Sequence, residues 1–228
     1  MGWQFRQKPG TTSAMSKVLV KICGLNDPRG VAAAVNGGAD YVGVVFFAKS
    51  PRFVEPDRAA ELLDAVPRRI KRVGLFVDAE DALFERVLKR VRLDLLQLHG
   101  KEPPDRVANL RAQWGLPAMK AIGVSGASDL AAADAYLDVA DRLMFDAKAP
   151  AGATRPGGNA VAFDWTLLAG HKWTLPWFLA GGLNARNVAR AIKLSGARAV
   201  DVSSGVESAP GVKDPKKILN FIRAAKGE

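Results

Sequence analysis

The chain has 228 residues, of which 48% are hydrophobic, enough for one large α/β domain or two small ones and too apolar for a disordered chain. Its single cysteine excludes an internal disulfide and a cysteine-built metal site and fits a reducing cytoplasm, and its two histidines, His99 and His171, lie too far apart for a zinc motif. No apolar run approaches the roughly 18 residues of a membrane span, and the +10 charge lies in scattered pairs such as Arg68-Arg69 and Lys216-Lys217, with no aromatic RNA-binding signature or zinc-finger spacing, so neither a membrane nor a nucleic-acid partner is expected. The basic excess reads as solvated surface, or as attraction for anionic small molecules.

Residues 1–16 contain no acid, little periodicity and no apolar stretch of a secretory signal, and are expected to be a disordered leader outside the domain, which takes 17–228. From there apolar runs alternate with helical periodicity. Strands are expected over 18–23, 41–47, 72–77, 93–99, 118–122, 142–146, 177–180 and 199–203, each start following the last by about one βα unit. Between them lie helix-start signals: Asp27-Pro28, Pro56, Asp78, Pro104, Ser128 ahead of 130–137, Asn184 ahead of 188–194, and Asp214-Pro215. The sixth unit has only Phe163-Asp164-Trp165 as a candidate start. Eight strand–helix pairs without a composition break predict a single α/β domain, a (β/α)8 TIM barrel with a parallel eight-stranded sheet. A doubly wound sheet would need a glycine-rich turn after its first strand, and Gly24-Leu25-Asn26-Asp27 is not one.

In such a barrel the site lies at the carboxyl ends of the strands. Strand periodicity of two puts Lys21 and Cys23 on one face of the first strand and Val18, Val20 and Ile22 on the other. Gln97 and His99 end the fourth strand, Asp146 the sixth, and Asp201 and Ser203 the eighth, with apolar residues on the opposite parity. One such polar residue is compatible with a satisfied core group. Four strands converging on one rim are costly to bury without a purpose. After strands seven and eight come Gly181-Gly182 and Ser203-Ser204-Gly205, on adjacent loops where barrels of this kind hold phosphate on backbone N–H groups.

The segments Lys-Ile-Cys-Gly (21–24), Ser-Pro-Arg-Phe-Val (50–54), Gly-Leu-Phe-Val (74–77), Leu-Gln-Leu-His-Gly (96–100), Phe-Asp-Ala-Lys (145–148), Phe-Asp-Trp (163–165), Leu-Ala-Gly-Gly-Leu (179–183) and Val-Asp-Val-Ser-Ser-Gly-Val-Glu (200–207) together resemble phosphoribosylanthranilate isomerase, over roughly residues 17–225. The resemblance implies an Amadori rearrangement in tryptophan biosynthesis on a small phosphosugar substrate, without cofactor or metal; a cytoplasmic location is expected from the single cysteine, and a monomer and a homodimer are both open. It implies Cys23 as general base and Asp146 as general acid, and a grip by Arg52 on the anthranilate carboxylate, for which a guanidinium fork suits better than an ammonium. Lys21, one pleat below Cys23, is a candidate cation to lower the thiol pKa, and partial burial, or repulsion from Asp201 or the substrate phosphate, a candidate cause for raising that of Asp146.

Asp201 is expected to bond a ribose-derived hydroxyl or tune the acid, with a structural role equally open. Gln97 and His99 line the aromatic end or form a core-satisfying pair. His171 reads as a loop residue. The segment 147–162 is long for a βα loop and is expected to act as a lid, and 149–155 departs from the compact glycine-rich loop of the family. Two rivals stand beside this reading. The aminoimidazole ribotide isomerase of histidine biosynthesis resembles a pair of aspartates on strands one and five, where this chain has Cys23 and no acid in 119–123. A catalytically idle, phosphate-binding barrel is the other, and the presence of both Cys23 and Asp146 argues against it.

Overall fold

A computed structural model describes residues 18–149, 152–153, 156–158 and 162–227; the expected leader and part of the expected lid lie outside the described residues. Eight strands pair in sequence order, all parallel, and the eighth returns to the first to close a barrel: β1 (Leu19–Ile22), β2 (Tyr41–Val45), β3 (Lys71–Phe76), β4 (Leu95–Leu98), β5 (Ala118–Val124), β6 (Arg142–Ala147), β7 (Trp177–Leu179) and β8 (Ala199–Val202). The architecture is the (β/α)8 barrel that the alternation of elements predicts.

Strand parity separates two cores. Side chains from alternate positions, among them Tyr41, Val73, Leu95, Met119, Met144, Phe178 and Ala199, fill the barrel interior. The intervening ones, such as Val20, Ile22, Val44, Leu96, Leu98, Leu143 and Val200, pack outward under the helices. The register pins Lys21 beside Tyr41 of β2 and Asp201 of β8, so the inward polar residues rise above an apolar floor.

Helices α1 (Pro28–Asn36), α2 (Pro56–Asp64), α3 (Asp81–Leu88), α4 (Pro104–Trp114), α5 (Val188–Ser195) and α6 (Pro215–Lys226) cover the outside. Asp27 and Asp214 act as N-caps, each accepting from two backbone N–H groups with proline at the first helical position. Other start signals fall differently. The cap before α3 is Glu80, and Asp78 instead takes a left-handed conformation with φ of 45° and accepts from the Lys101 N–H at 2.6 Å. Asn184 belongs to a turn, and Asn187 precedes α5.

The helix expected over 130–137 is a 3₁₀ segment, Ala127–Tyr136, capped at Gly126 rather than Ser128. Its inward residues Leu130, Ala133 and Tyr136 are three apart, the period of a 3₁₀ helix, so one narrow line suffices to cover β5. Among the described residues the sixth unit holds only a 3₁₀ turn, Trp165–Leu168, started by Asp164. After β8 a short 3₁₀ turn, Ser204–Val206, leads into a hairpin absent from the sequence reading, β9 (Glu207–Ala209) and β10 (Val212–Lys213), in which Lys213 lies opposite Glu207.

Candidate functional site

The carboxyl ends of the strands open into two adjoining cavities of about 480 and 390 Å³, which share Asp146, Gly158, Asp201 and Ser203. The larger is lined by the apolar Val45, Phe47, Leu75 and Val77 at the ends of β2 and β3, by Arg52, and by the polar Cys23, Gln97 and His99. The smaller is walled by Gly181, Gly182, Ser203 and Ser204.

Cys23 follows β1, and its N–H continues the ladder to the Val202 carbonyl at 2.8 Å, which fixes the thiol at the mouth. Beneath it Lys21 is fully buried and donates to Asp201 Oδ1 at 2.7 Å. Room for the pair comes from Gly43 on β2, where a Cβ would stand 3.2 Å from both the Cys23 sulfur and the Lys21 ammonium. Lys21 does not line either cavity; it reaches the site only through Cys23 and Asp201. Burial pushes the thiol up, Lys21 pulls it down and Asp201 pushes it up again, and the net shift is upward. The expectation that Lys21 lowers the thiol holds for the direction of its own effect and fails for the sum. For Lys21 burial acts downward, Asp201 and Cys23 act upward, and these charges win.

Asp146 ends β6 across the barrel, with Oδ1 accepting from the Ala147 N–H at 2.9 Å and Oδ2 lying 3.1 Å from His99 Nε2. His99 Nδ1 is 2.8 Å from Gln97 Nε2, while Gln97 Oε1 is buried without a partner among the described residues. A neutral imidazole that accepts from Gln97 carries its proton on Nε2 and donates to an ionised Asp146. Turning the Gln97 amide end for end offers its oxygen to an Nδ1–H instead, and leaves Nε2 to accept from a protonated Asp146. The Gln97–His99 pair thus fits either state of the carboxyl group. Gly157 lies over this pair, so close that a Cβ would sit 2.6 Å from Asp146 Oδ2 and 2.7 Å from His99 Nε2, which places that part of the 147–162 segment across the opening.

Arg52 follows the Ser50-Pro51 turn and is 4% exposed. Its fork is already engaged: Nε donates to Glu207 Oε1 at 2.7 Å and Nη2 to Glu207 Oε2 at 2.9 Å. Lys213 Nζ donates to the same Oε1 at 2.7 Å and to the Ser203 carbonyl at 2.9 Å. Burial raises the Glu207 carboxyl, but the two cations overcome it and hold the group below its ordinary value; for Lys213 burial prevails over Glu207 and the ammonium is lowered. Glu207 and Lys213 escaped the sequence reading as site residues. The signal available was the Pro210-Gly211 turn, which sets the two residues opposite each other in a hairpin.

Among the phosphate candidates, Gly181 and Gly182 adopt left-handed φ values of 86° and 64° and turn the β7 backbone into the smaller cavity beside Ser203 and Ser204. Gly205 does not line it. It abuts the Leu183 carbonyl, where a Cβ would clash outright, and so locks the β7 and β8 loops together. Gly205→Ala is therefore expected to push the two loops apart, seen as a lowered Tm. His171 stacks on Trp173 at 4.8 Å, exposed and apart from these cavities.

Among the described residues no group of His, Cys, Asp and Glu is arranged to hold a metal, and no helix is long and apolar enough to cross a membrane. Comparison with known proteins agrees with this geometry. Residues 20–224 match the family model for N-(5'phosphoribosyl)anthranilate (PRA) isomerase. The N-(5'-phosphoribosyl)anthranilate isomerase of Paramagnetospirillum magneticum is 62% identical over 210 residues, 92% of this chain and 98% of the relative. The crystal structure of phosphoribosyl anthranilate isomerase from Thermotoga maritima superposes with a TM-score of 0.82 at 38% identity, over 92% of this chain and all of that one. A phosphoribosyl anthranilate isomerase in complex with reduced 1-(o-carboxyphenylamino)-1-deoxyribulose 5-phosphate superposes with a TM-score of 0.80 at 36% identity, with the same coverage. A shared barrel, a two-part cavity at its mouth and a family match along nearly the whole described chain lead to one assignment: the chain belongs to the N-(5'-phosphoribosyl)anthranilate isomerase family.

Proposed function

We propose that the chain converts N-(5-phosphoribosyl)anthranilate into 1-(2-carboxyphenylamino)-1-deoxyribulose 5-phosphate, the isomerisation of tryptophan biosynthesis, with Cys23 as general base and Asp146 as general acid. The observation that carries this reading is the two-part cavity. Its apolar end, with Arg52, suits an aryl carboxylate, its glycine-lined end suits a phosphate ester, and Cys23 and Asp146 lie between them. The reduced 1-(o-carboxyphenylamino)-1-deoxyribulose 5-phosphate bound to the solved relative, a reduced form of the proposed product, carries a carboxyphenyl group at one end and a phosphate at the other.

In the proposed course Asp146 gives its proton to the furanose ring oxygen as the C1–O bond breaks, leaving a protonated imine at C1. Cys23 then takes the proton from C2, and the released electron pair forms the C1–C2 double bond and neutralises the imine. The resulting enolamine tautomerises to the C2 ketone. The iminium charge lowers the thiol in the loaded site, where burial has raised it in the empty one. Asp201, held by Lys21 yet lining both cavities, is placed to bond a ribose-derived hydroxyl. Gln97 and His99 serve the acid rather than the aromatic ring.

The histidine-pathway rearrangement is disfavoured because the inward positions of β5 are Met119, Ala121 and Gly123, none of them an acid. The decisive experiment generates phosphoribosylanthranilate in situ and follows loss of its fluorescence on adding the protein, beside a parallel assay with the aminoimidazole ribotide. Turnover of the first alone is expected. Turnover of neither identifies an idle barrel.

A further inference from the structure

The surroundings of Arg52 are more elaborate than a carboxylate grip requires. Glu207 takes the Nε–Nη2 edge, and the arginine stem runs over Gly24, where a Cβ would lie 2.5 Å from Cδ. The far nitrogen Nη1 rests against Gly158, where a Cβ would lie 2.6 Å away. The guanidinium is therefore confined on three sides. Glu207 is itself saturated: Oε1 accepts from Arg52 and Lys213, and Oε2 from Arg52 and the Gly211 N–H at 3.2 Å. The hairpin that carries Glu207 and Lys213 is tied to the neighbouring loops by Asn26 Nδ2, which donates to the Gly211 carbonyl at 2.9 Å, and by Gly211 packed on the Pro51 carbonyl.

A buried arginine–glutamate pair taken alone is neutral and offers an anionic ligand little net attraction. The second cation alters that balance. With Lys213 on the same carboxylate, the trio Arg52, Glu207 and Lys213 carries one uncancelled positive charge, buried behind the part of the cavity wall that Arg52 lines. We propose that Glu207 and Lys213 are positioning residues: Glu207 aims the Arg52 guanidinium, Lys213 offsets the charge of Glu207, and together they make the apolar end selective for an aromatic ring bearing a single carboxylate. Binding such a ring brings the site to neutrality. An uncharged ring leaves a buried net charge uncompensated and is rejected. The proposal rests on the reading of Arg52 as the residue facing the aryl carboxylate.

The test compares KM for N-(5-phosphoribosyl)anthranilate with KM for the N-phosphoribosyl derivative of aniline, which lacks the carboxylate, in the wild-type chain and in Arg52→Ala, Glu207→Gln, Lys213→Met and Lys213→Arg. The wild type is expected to prefer the carboxylated substrate. Lys213→Met, which leaves the Arg52–Glu207 pair neutral, and Glu207→Gln, in which the lost aim of the guanidinium outweighs the added positive charge, are expected to shrink that preference by about tenfold or more, chiefly through KM for the carboxylated substrate and with kcat little changed, while Lys213→Arg retains it. Folding is followed by circular dichroism, and should one of the two variants fail to fold, the other carries the comparison. If the folded variants raise KM for both substrates equally, the two residues are only structural and the proposal is overturned. If Arg52→Ala abolishes the preference while Glu207→Gln and Lys213→Met keep it, the proposal fails and the reading of Arg52 stands. If Arg52→Ala keeps the preference, that reading itself fails.

Discussion

Replacing Cys23 with serine is expected to lower kcat by about 10²–10⁴-fold while the far-ultraviolet circular dichroism and Tm stay close to those of the parent, and Asp146→Asn is expected to do the same. A serine hydroxyl fits the space of the thiol at 3% exposure, so loss of activity would report lost basicity and not lost packing. The pH profile sharpens the test. Burial raises the thiol of the empty site above its ordinary value, so the thiolate fraction climbs as pH rises through neutrality and beyond, and kcat/KM follows the product of that fraction and the fraction of Asp146 still holding the proton it donates. In the loaded site the iminium at C1 favours the thiolate, so the corresponding limb of the kcat profile lies at lower pH. Stopped assays across the pH range with the parent chain read both limbs. A near-normal kcat for Cys23→Ser would remove Cys23 from the role of base.

The barrel was legible because its determinants are local and periodic. Alternation of two along β1, β4, β6 and β8 assigned Cys23, His99, Asp146 and Ser203 to the inside, and the structure places all of them on the cavity wall. Gly181-Gly182 and Ser203-Ser204 stood out as a pair of loops on adjacent strands, where a single glycine pair would read as an ordinary turn, and both line the smaller cavity. Quantities set in three dimensions were not. The upward shift of Cys23 is a sum of burial and two opposed charges, and sequence supplies the charges without the burial. The partner that fills the Arg52 fork lies 155 residues away along the chain and arrives on a hairpin outside the regular βα units. Asp78 looked like a helix cap because its residue type favours one; at that position the loop after β3 uses its carboxylate to hold the Lys101 N–H.

Lys21 shows how far site and stability are joined, and Lys21→Met is expected to damage both. Methionine approximates the volume of the lysine stem, so the barrel interior stays filled, but Asp201 loses the ammonium that it accepts from at 2.7 Å. Removing one member of a buried ion pair costs about 3–5 kcal/mol, and because Asp201 also faces the cavities, where water reaches it, a value near about 3 kcal/mol is expected as a lowered urea midpoint. The thiol responds as well. Lys21 is the largest influence holding Cys23 down, so its loss moves the thiol further up, and kcat/KM at neutral pH falls with partial recovery as the pH is raised. The double variant Lys21→Met with Asp201→Asn separates the two effects. It removes the stranded carboxylate, and so is expected to regain much of the lost stability, and it also removes the negative charge that pushes the thiol up. Recovery of the urea midpoint in the double variant alongside a pH profile displaced from that of the single variant would show that one buried pair serves the barrel as structure and Cys23 as its electrostatic setting. An unchanged profile in both variants would confine Lys21 to the structural part.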